Sequence, residues 1–452
     1  MRATLARPAS GDGAMAQPNV VGALQQKARA ALEAGRFEEA LTACRNLLAF
    51  QPNSPDALAV AGIASLQLGD AKKAVDYLEQ AVKRAELPVA WLHLGSARKT
   101  LGLTEQAMKA YRKALSLKPD LTPAAHNLGA LLQEQGKHGE AAQVYRAALE
   151  RAPTQAAAST WRNLALALEH TNEQEEAREA YRKSIALDPE WVLPRSGLMR
   201  LLWNMRDMER LLVTCEAWLR RRPQDTEALA WMALAHAEKG ETAKRDGLLD
   251  FDKLVAVYDL PPPSGWSDNQ TFHADMAKHI YAHKTLKVPG ADHPTYHHPQ
   301  LAITEELLDH DRGPMSGYEA LVQAAVERYR QGLPDGHPVR EHWPKKWRLS
   351  VWAALLKGQG NLVPHIHLDG YLGGVYYVRL PEVTARADAD QAAWFELGRP
   401  PEELAATAAP VTRRIQPREG RMILFPSYFY HGTVPFEAGE DRISVAFDVV
   451  PE

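Results

Sequence analysis

Residues 91–119 read WLHLGSARKTLGLTEQAMKAYRKALSLKP, and this segment indicates how the N-terminal half of the chain folds. Apolar residues recur at helical spacing on both sides of Gly102. Gly95 and Ala107 are small enough to let two helices approach closely, and the larger residues of the segment fill the space around them. Pro119 ends the unit because proline does not continue a helix. The segment therefore predicts a helical hairpin.

The same pattern returns at an interval of about 34 residues. The central position is glycine in four copies and asparagine in a fifth, each followed five residues later by alanine: Gly35, Gly69, Gly102, Gly136 and Asn172. This arrangement resembles the tetratricopeptide repeat. The resemblance implies about six units between residues 22 and 243, stacked as an α-helical solenoid. Such a solenoid binds extended segments of other proteins on its concave surface, so the array predicts a protein or peptide partner.

The composition is that of a globular protein and argues against several other classes of protein. The chain has 452 residues, of which 45% are hydrophobic and 24% are charged, and its formal net charge is -3. Without a basic surplus, binding to nucleic acid is not expected. Two cysteines are too few for a disulfide framework, and the sequence has no run of about 18 apolar residues that could span a membrane. We therefore expect a cytoplasmic protein in which residues 1–21 form a flexible tail.

The helical period stops after Gly240, and the character of the sequence changes. Residues 244–270 include three consecutive prolines and are expected to form a linker. Residues 304–332 have apolar positions at helical spacing and predict a helix. Four segments rich in β-branched and aromatic residues predict strands: WRLSVWAALL (347–356), YLGGVYYVRL (371–380), RMILFPSYF (421–429) and RISVAFDVV (442–450). Residues 271–452 are therefore expected to form a β sandwich or barrel, which makes the chain an α + β multidomain protein.

Candidate metal ligands follow the first of these strands. His365, His367 and Asp369 occupy alternate positions, so in an extended chain they point to one face. His431 follows the third strand and is a candidate for a further ligand. Two histidines and one carboxylate with open positions make the facial triad of non-haem Fe(II) oxygenases. Arg442, at the start of the fourth strand, has the bidentate donor geometry that suits the distal carboxylate of a dicarboxylate co-substrate.

Residues 340–452 resemble the 2-oxoglutarate and Fe(II)-dependent oxygenases, and more narrowly the oxygenase domain often found behind tetratricopeptide repeats in bacteria. The matching residues are Trp352, Asn361, His365, His367, Leu372 to Tyr377, Phe395, Gly398, Gly420, Leu424 to Ser427, His431 and Asp441 to Ser444. The resemblance implies a double-stranded β-helix, or jelly roll, that binds Fe(II), oxidises 2-oxoglutarate to succinate and hydroxylates a second substrate or oxidises it in a related way. Arg442 and Ser444 are expected to hold the far carboxylate of 2-oxoglutarate. Resemblance to prolyl hydroxylases favours Tyr377 over Tyr376 for contact with this co-substrate.

Two sets of metal ligands remain open at this point. The preferred set is His367, Asp369 and His431, because a carboxylate neutralises part of the metal charge. The alternative set has His365 in place of Asp369, which then accepts a hydrogen bond near the site. The histidine-rich segment 293–298 is expected to be a solvated or substrate-facing loop and not a second metal site.

We therefore expect a 2-oxoglutarate-dependent dioxygenase, most specifically a hydroxylase, whose repeat array recruits a protein or peptide substrate. One alternative is a repeat scaffold whose jelly-roll domain is catalytically silent, since a fold does not establish activity. Another is a cupin-like metal enzyme that needs no 2-oxo acid. Arg442 discriminates the 2-oxoglutarate-dependent oxygenase from the cupin-like enzyme. Its loss should raise the Michaelis constant for 2-oxoglutarate only in the oxygenase. The sequence has no Gly-x-Ser-x-Gly, His-Glu-x-x-His or glycine-rich phosphate-binding motif, so hydrolase, zincin and kinase activities lack support.

Overall fold

The structure is a computed structural model that describes residues 17–153, 157–290, 300–309, 312–385 and 391–452. The chain divides into two compact units, Met1–Leu201 and Leu202–Glu452. Most of the expected tail, residues 1–16, and the histidine-rich segment 293–298 lie outside the described residues. Residues 17–21, expected to be part of the tail, instead belong to a helix that begins at Gln17.

The first unit consists of paired helices. They are α1 (Gln17–Glu33), α2 (Phe37–Phe50), α3 (Pro55–Gln67), α4 (Ala71–Val82), α5 (Pro88–Thr100), α6 (Thr104–Leu117), α7 (Thr122–Glu134), α8 (His138–Arg151), α9 (Ala158–His170), α10 (Gln174–Leu187) and α11 (Val192–Asn204), whose last residues belong to the second unit. From α1 to α10, each odd-numbered helix packs on the helix that follows it. This is the helical repeat array that the sequence period predicts.

A residue with left-handed backbone geometry lies between the two helices of each pair. The φ angle is 73° at Gly102, 71° at Gly136 and 61° at Asn172. Glycine adopts this region without steric cost, and asparagine is among the residues that tolerate it best. The turn therefore explains both the recurring glycine and the asparagine of the fifth copy.

Small residues let the helices of a pair approach closely, as the sequence predicts. A Cβ atom on Gly95 would lie 2.5 Å from Cε1 of Tyr111, and one on Gly129 would lie 2.4 Å from Cζ of Tyr145. Both tyrosines are fully buried. Any larger residue at these two positions would have to displace a packed ring.

Helices also open the second unit: α12 (Met208–Leu219), α13 (Thr226–Glu238), α14 (Thr242–Leu248) and α15 (Phe251–Leu254). The left-handed turn recurs at Arg206 and Gly240, so the repeat pattern continues here. The Thr226 hydroxyl donates a hydrogen bond of 2.7 Å to the Gly370 carbonyl. Ala230 belongs to the same hydrophobic core as the strands of this unit. The last helices of the repeat pattern and the β-rich domain therefore share one core.

Residues 244–270, expected to form a linker, are instead folded into the second unit. Phe251 and Leu254 are buried in its core, and β1 (Ala256–Asp259) pairs antiparallel with β8 (Arg421–Pro426). The prolines do follow the helical segment, but most of the apolar residues before them are buried or half-buried. This segment is therefore an integral part of the unit.

The remaining elements of the second unit are α16 (Asn269–Ala282), β2 (Leu301–Ile303), α17 (Met315–Gly332), α18 (Pro338–Glu341), β3 (Trp347–Leu356), β4 (Gln359–Gly360), β5 (Leu372–Arg379), β6 (Phe395–Leu397), β7 (Arg413–Ile415), β9 (His431–Thr433), β10 (Phe436–Glu437) and β11 (Arg442–Pro451). The four predicted strands are confirmed as β3, β5, β8 and β11. The predicted helix over 304–332 is shorter, because Pro314 cannot lie in a helix interior and α17 begins after it.

The strands form an antiparallel jelly roll. The large sheet has the order β1-β8-β5-β11-β3-β2, a smaller sheet has the order β7-β6-β9, and β4 pairs with β10. Helices α16 and α17 cover one face of the large sheet: the Tyr318 hydroxyl donates to the Val445 carbonyl at 3.1 Å, and the Tyr376 hydroxyl lies 2.8 Å from Nε2 of His273. The other face is turned towards the small sheet. Within the described ranges, no helix is both long and apolar enough to cross a membrane.

Candidate metal centre

A pocket lies between the large sheet and the small sheet of the second unit. Strands β3, β5, β8 and β11 form one wall, and β6, β9 and the segment that precedes Gly370 form the other. Seven of the fifteen lining residues have apolar side chains: Trp352, Ala354, Leu362, Val375, Phe395, Phe425 and Ala446. The polar side chains that line it are His365, His367, His431, Thr433, Arg442 and Ser444. The pocket is thus apolar with a few polar groups, as ligand sites usually are.

Three histidines converge in this pocket. His365 and His431 are joined by two backbone hydrogen bonds of 3.0 Å, which bring their side chains together. His367 lies two residues after His365 in an extended segment, on the same side of the chain. One ring nitrogen from each histidine lies within 4.8 Å of the other two, and the ring centroids are 4.4 to 5.2 Å apart. This geometry is compatible with three imidazoles around one metal ion.

Each of the three histidines has an oxygen acceptor at Nδ1. Nδ1 of His365 and Nδ1 of His431 lie 2.8 and 3.0 Å from backbone carbonyl oxygens. Nδ1 of His367 lies 2.7 Å from Oδ1 of Asp448. Because these oxygens accept a hydrogen bond, the ring proton is on Nδ1 and the lone pair is on Nε2. Nε2 of His367 is buried and has no hydrogen-bond partner among the described residues.

Burial keeps two of these histidines uncharged. Burial, together with the neighbouring His367, lowers the pKa of His365 to about 3. Burial and the two neighbouring histidines lower the pKa of His431 well below its usual value. Uncharged imidazole is the form that binds a metal ion. Both side chains are therefore ready to bind a cation at neutral pH.

Asp369, the preferred carboxylate ligand of the sequence analysis, is not part of this cluster. A hydrogen bond of 3.2 Å from the Gly370 N–H to the His367 carbonyl turns the chain directly after His367. Asp369 lies in this turn and is exposed to solvent, so the alternation of side chains ends before it. The structure thus brings together the alternative set, in which His365 accompanies His367 and His431.

Asp448 is a residue of the site that the sequence analysis did not identify. It lies on β11, is 7% exposed, and contacts a ring nitrogen of His367. The signal that identifies it is the period of the strand: residues 442, 444, 446 and 448 alternate along β11 and share one face. Counting on from Arg442 along this face leads to Asp448.

Arg442 is buried in the same pocket without a matching anion. It is 1% exposed, and one of its terminal nitrogens donates a hydrogen bond of 3.3 Å to the Ser444 hydroxyl. Among the described residues, its Nε has no hydrogen-bond partner and no carboxylate forms an ion pair with it. Burial lowers the pKa of this guanidinium from its ordinary value. A buried charge without a counter-ion is destabilising, so this position favours an anionic ligand.

Ser444 and Tyr377 both lie next to Arg442. They are cross-strand neighbours on β11 and β5, and the guanidinium lies 5.2 Å from the centroid of the Tyr377 ring. The Tyr377 hydroxyl is buried beside the guanidinium, and burial raises its pKa to about 12. Tyr376 points to the opposite face, where its hydroxyl contacts His273. Of the two tyrosines, Tyr377 is therefore the one beside the arginine.

Comparison with protein families bears on both halves of the chain. Residues 350–448 match the family described as "Putative 2OG-Fe(II) oxygenase". Residues 31–94, 88–121 and 120–190 match models of the tetratricopeptide repeat. The chain carries tetratricopeptide repeats and a 2OG-Fe(II) oxygenase domain. The oxygenase match contains the three histidines, Arg442 and Asp448. No curated protein matches the chain.

Solved structures that are similar to part of the chain include MamA, YrrB and PilF. MamA is 21% identical, and the match covers 38% of this chain and 94% of MamA with a TM-score of 0.34. YrrB, titled a TPR protein with an unusual peptide-binding site, is 23% identical over 38% of this chain and 88% of its own, with a TM-score of 0.33. PilF of Pseudomonas aeruginosa is 19% identical over 47% of this chain and 96% of its own, with a TM-score of 0.40.

The oxygenase domain implies Fe(II) and 2-oxoglutarate, and the residues present fit both. Imidazole nitrogens suit a divalent first-row metal, and the buried Nε2 of His367 has no other described partner for its lone pair. The unpaired guanidinium of Arg442 suits the far carboxylate of 2-oxoglutarate. The ligand set departs from the usual facial triad, since a histidine stands where that triad has a carboxylate.

A groove on the oxygenase domain adjoins this pocket and shares Leu362, Gly432 and Thr433 with it. The rest of the groove is lined mainly by prolines and charged residues, among them Pro364, Pro400, Pro401, Glu396, Arg399, Glu402 and Arg414. One rim includes a short helical turn, Glu402–Leu404. The Trp203 indole N–H donates a hydrogen bond of 2.7 Å to the last carbonyl of this turn. A residue from the helical start of the second unit thus holds one rim of the groove.

Proposed function

We propose that the protein is an Fe(II)- and 2-oxoglutarate-dependent oxygenase, specifically a hydroxylase, whose repeat array recruits a protein or peptide substrate. The observation that supports this most strongly is one apolar pocket that contains three converging histidines and a buried arginine without a described counter-ion. A metal site alone would suit many enzymes. A metal site beside an unpaired guanidinium favours a chelating dicarboxylate. The family match over residues 350–448 supports the same function.

His365, His367 and His431 would hold Fe(II) through their Nε2 atoms. When bound, Fe(II) and 2-oxoglutarate supply the chemistry that activates O₂ for the oxidation of a C–H bond. The contribution of the protein is to fix the three rings, since each Nδ1 N–H donates to an oxygen. Three protein ligands also leave coordination positions open, as a catalytic metal site requires.

Arg442, Ser444 and Tyr377 would bind the far carboxylate of 2-oxoglutarate. The guanidinium presents a planar pair of donors, and its position over the Tyr377 ring restricts its movement. The Tyr377 hydroxyl is a further donor beside the guanidinium. Because the site is buried, the attraction between the arginine and a carboxylate is stronger than it would be at the surface.

Aromatic rings would shield the metal ligands from bulk water. The Trp352 ring packs edge-on against His367 with 5.2 Å between the centroids, and Phe425 lies 4.6 Å from His431. Excluding water strengthens electrostatic interactions in the pocket and limits side reactions.

The tetratricopeptide repeats support a polypeptide as the second substrate, because such arrays bind extended segments of other proteins. The groove that adjoins the pocket is a suitable path for such a segment. Its boundary with the pocket, at Gly432 and Thr433, directly follows the ligand His431. A side chain of a peptide in the groove could thus approach the metal centre.

Anaerobic titration with Fe(II) and 2-oxoglutarate tests the proposal, because the chelated co-substrate gives a weak visible charge-transfer band. We expect this band in the wild type and its loss in His365→Ala. Asp369→Ala is the matched control: its side chain is two residues from a ligand but exposed to solvent, so this variant should keep the band.

Other outcomes would point to specific alternatives. Loss of the band in Asp369→Ala and its survival in His365→Ala would restore the carboxylate ligand that the sequence favours. Iron binding without a band that depends on 2-oxoglutarate would support a cupin-like enzyme. No iron binding by the wild type would leave a repeat scaffold with a catalytically silent domain.

A further inference from the structure

The three histidines of the metal centre differ in what holds them. Nδ1 of His365 and Nδ1 of His431 contact backbone carbonyls, whereas Nδ1 of His367 lies 2.7 Å from a carboxylate oxygen of Asp448. A carbonyl fixes the orientation of an imidazole, but a carboxylate also raises its basicity as a ligand. His367 is therefore the ligand whose strength depends on a charged neighbour.

The charge of the pocket makes this neighbour important. No aspartate or glutamate is among the described residues that line the pocket, and Arg442 adds a positive charge. Asp369, the carboxylate next in the chain, is exposed outside the cluster. Three neutral imidazoles would leave the charge of a divalent cation uncompensated in an apolar site, which is unfavourable. The carboxylate in hydrogen-bond contact with the ligand set is that of Asp448.

The sheet holds this carboxylate in position. Asp448 pairs with Ser350 on β3 and with Gly373 on β5. A Cβ atom on Gly370 would lie 2.9 Å from Cγ of Asp448, and one on Gly373 would lie 3.4 Å from its Oδ1. The carboxylate therefore occupies a space that two glycines leave free, on a strand that has a neighbour on each side.

We propose that Asp448 is a positioning residue that fixes the Nδ1–H tautomer of His367 and supplies, through this hydrogen bond, the negative charge that a facial triad obtains from a carboxylate ligand. The inference rests on the metal site of the proposed function and deepens it. In this site the acid does not contact the metal but acts through His367. A three-histidine set can then bind a divalent cation in an apolar pocket beside an arginine.

Co(II) binding to the full chain tests this inference without requiring catalysis. Affinity is measured by titration, and the visible absorption of Co(II) reports on the ligand field. The wild type is compared with Asp448→Asn, which keeps an oxygen acceptor for His367 but removes the charge. We expect Asp448→Asn to weaken Co(II) binding by about 10- to 100-fold and to shift the Co(II) absorption bands. Asp335→Asn is the matched control, since the Asp335 side chain is 94% exposed, and it should bind as the wild type does.

The possible failures are distinguishable. Co(II) binding by Asp448→Asn that is less than about tenfold weaker than that of the wild type would overturn the role of Asp448. Absence of Co(II) binding by the wild type would refute the metal site, and the proposed function with it. If circular dichroism indicates that Asp448→Asn is unfolded, Gly370→Ala replaces it, because the added methyl group would displace the Asp448 carboxylate without removing it. The same tenfold limit then applies.

Discussion

Arg442 is fully buried on β11, and the Ser444 hydroxyl is its hydrogen-bond partner. Burying a charge without a counter-ion destabilises a protein. The position is therefore unfavourable for the stability of the protein without ligand and favourable for binding an anion. Buried polar groups with incomplete partners often occur at functional sites for this reason.

Replacing Arg442 with methionine should separate these two effects. We expect Arg442→Met to raise the free energy of unfolding of the ligand-free protein by about 1 kcal/mol or more, because the buried charge is removed. The same variant should lose the thermal stabilisation that 2-oxoglutarate gives the Fe(II)-loaded wild type. Both quantities can be measured by thermal unfolding with and without 2-oxoglutarate. Equal stabilisation of the variant and the wild type by 2-oxoglutarate would contradict the role of this arginine.

The residues of the site were predictable where a short pattern determines them. His365 and His367 lie on one side of an extended segment, as their spacing predicts, and Arg442 and Ser444 share a face of β11. Asp369 follows the same spacing but lies outside the cluster, because a turn directly after His367 ends the extended segment. A turn closed by one backbone hydrogen bond has no clear signal in the alternation of residue types.

At the scale of elements, the glycines of the repeat helices have different roles. Replacing a glycine with alanine at two positions distinguishes these roles. In Gly129→Ala, the new Cβ would lie 2.4 Å from the Tyr145 ring, so overpacking should lower the free energy of unfolding by about 1 to 3 kcal/mol. In Gly139→Ala, on the exposed face of α8, the Cβ would meet its nearest described neighbour at 3.9 Å. Higher helix propensity should then raise the free energy of unfolding by up to about 1 kcal/mol. Urea unfolding of the two variants measures both; effects of the same sign would contradict this account of the packing.

His273 on α16 should make the second unit sensitive to acid. Burial lowers the pKa of His273 to about 4, whereas histidine in an unfolded chain has a pKa of about 6.5. Between these two pH values the unfolded chain binds a proton that the folded chain does not, so stability decreases as the pH falls through this range. His273 accounts for a decrease of at most about 3 kcal/mol in the free energy of unfolding over this pH range.

The variant His273→Gln isolates this contribution. At pH 7.5 it should be less stable than the wild type, because the contact with the Tyr376 hydroxyl is altered. The difference should narrow as the pH falls towards 4.5, since the variant has no imidazole to protonate. Urea unfolding of both proteins at the two pH values measures this difference. A difference that does not depend on pH would show that His273 does not titrate in this way.

For the whole molecule, the boundary between the two units has a direct test. A chain that starts at residue 202 contains the complete second unit and should unfold in one cooperative transition. A chain that starts at residue 244, where the sequence predicts a linker, lacks α13. It loses the hydrogen bond from Thr226 to Gly370 and those from Thr407 and Ala408 to Glu238.

We expect the shorter chain to be less stable by about 2 kcal/mol or more, which corresponds to a midpoint lower by about 4 to 8 °C. Differential scanning calorimetry of the two chains measures this difference. Equal midpoints would mean that the helices before residue 244 contribute nothing to the β-rich domain.

The repeat array was the most predictable part of the molecule, because one period is written several times in the sequence and each copy supports the others. The extent of the second unit was not predictable in the same way. Arg206 occupies the left-handed turn position that glycine has in most copies, so the pattern weakens where the two units divide. Thr226 and Ala230 are residue types that occur in exposed helices as well as in buried ones. Only the tertiary contacts assign them to the β-rich core.

The position of β11 has a consequence for how the molecule is made. This strand lies between β3 and β5 in the large sheet, and it is the last strand of that sheet in the chain. The helical pairs of the first unit form contacts between neighbouring segments, so they can fold while the ribosome is still extending the chain. The large sheet cannot close until β11 has left the ribosome, and Arg442, Ser444 and Asp448 all arrive with it. The repeat array is therefore available to a binding partner during translation, before the oxygenase pocket exists.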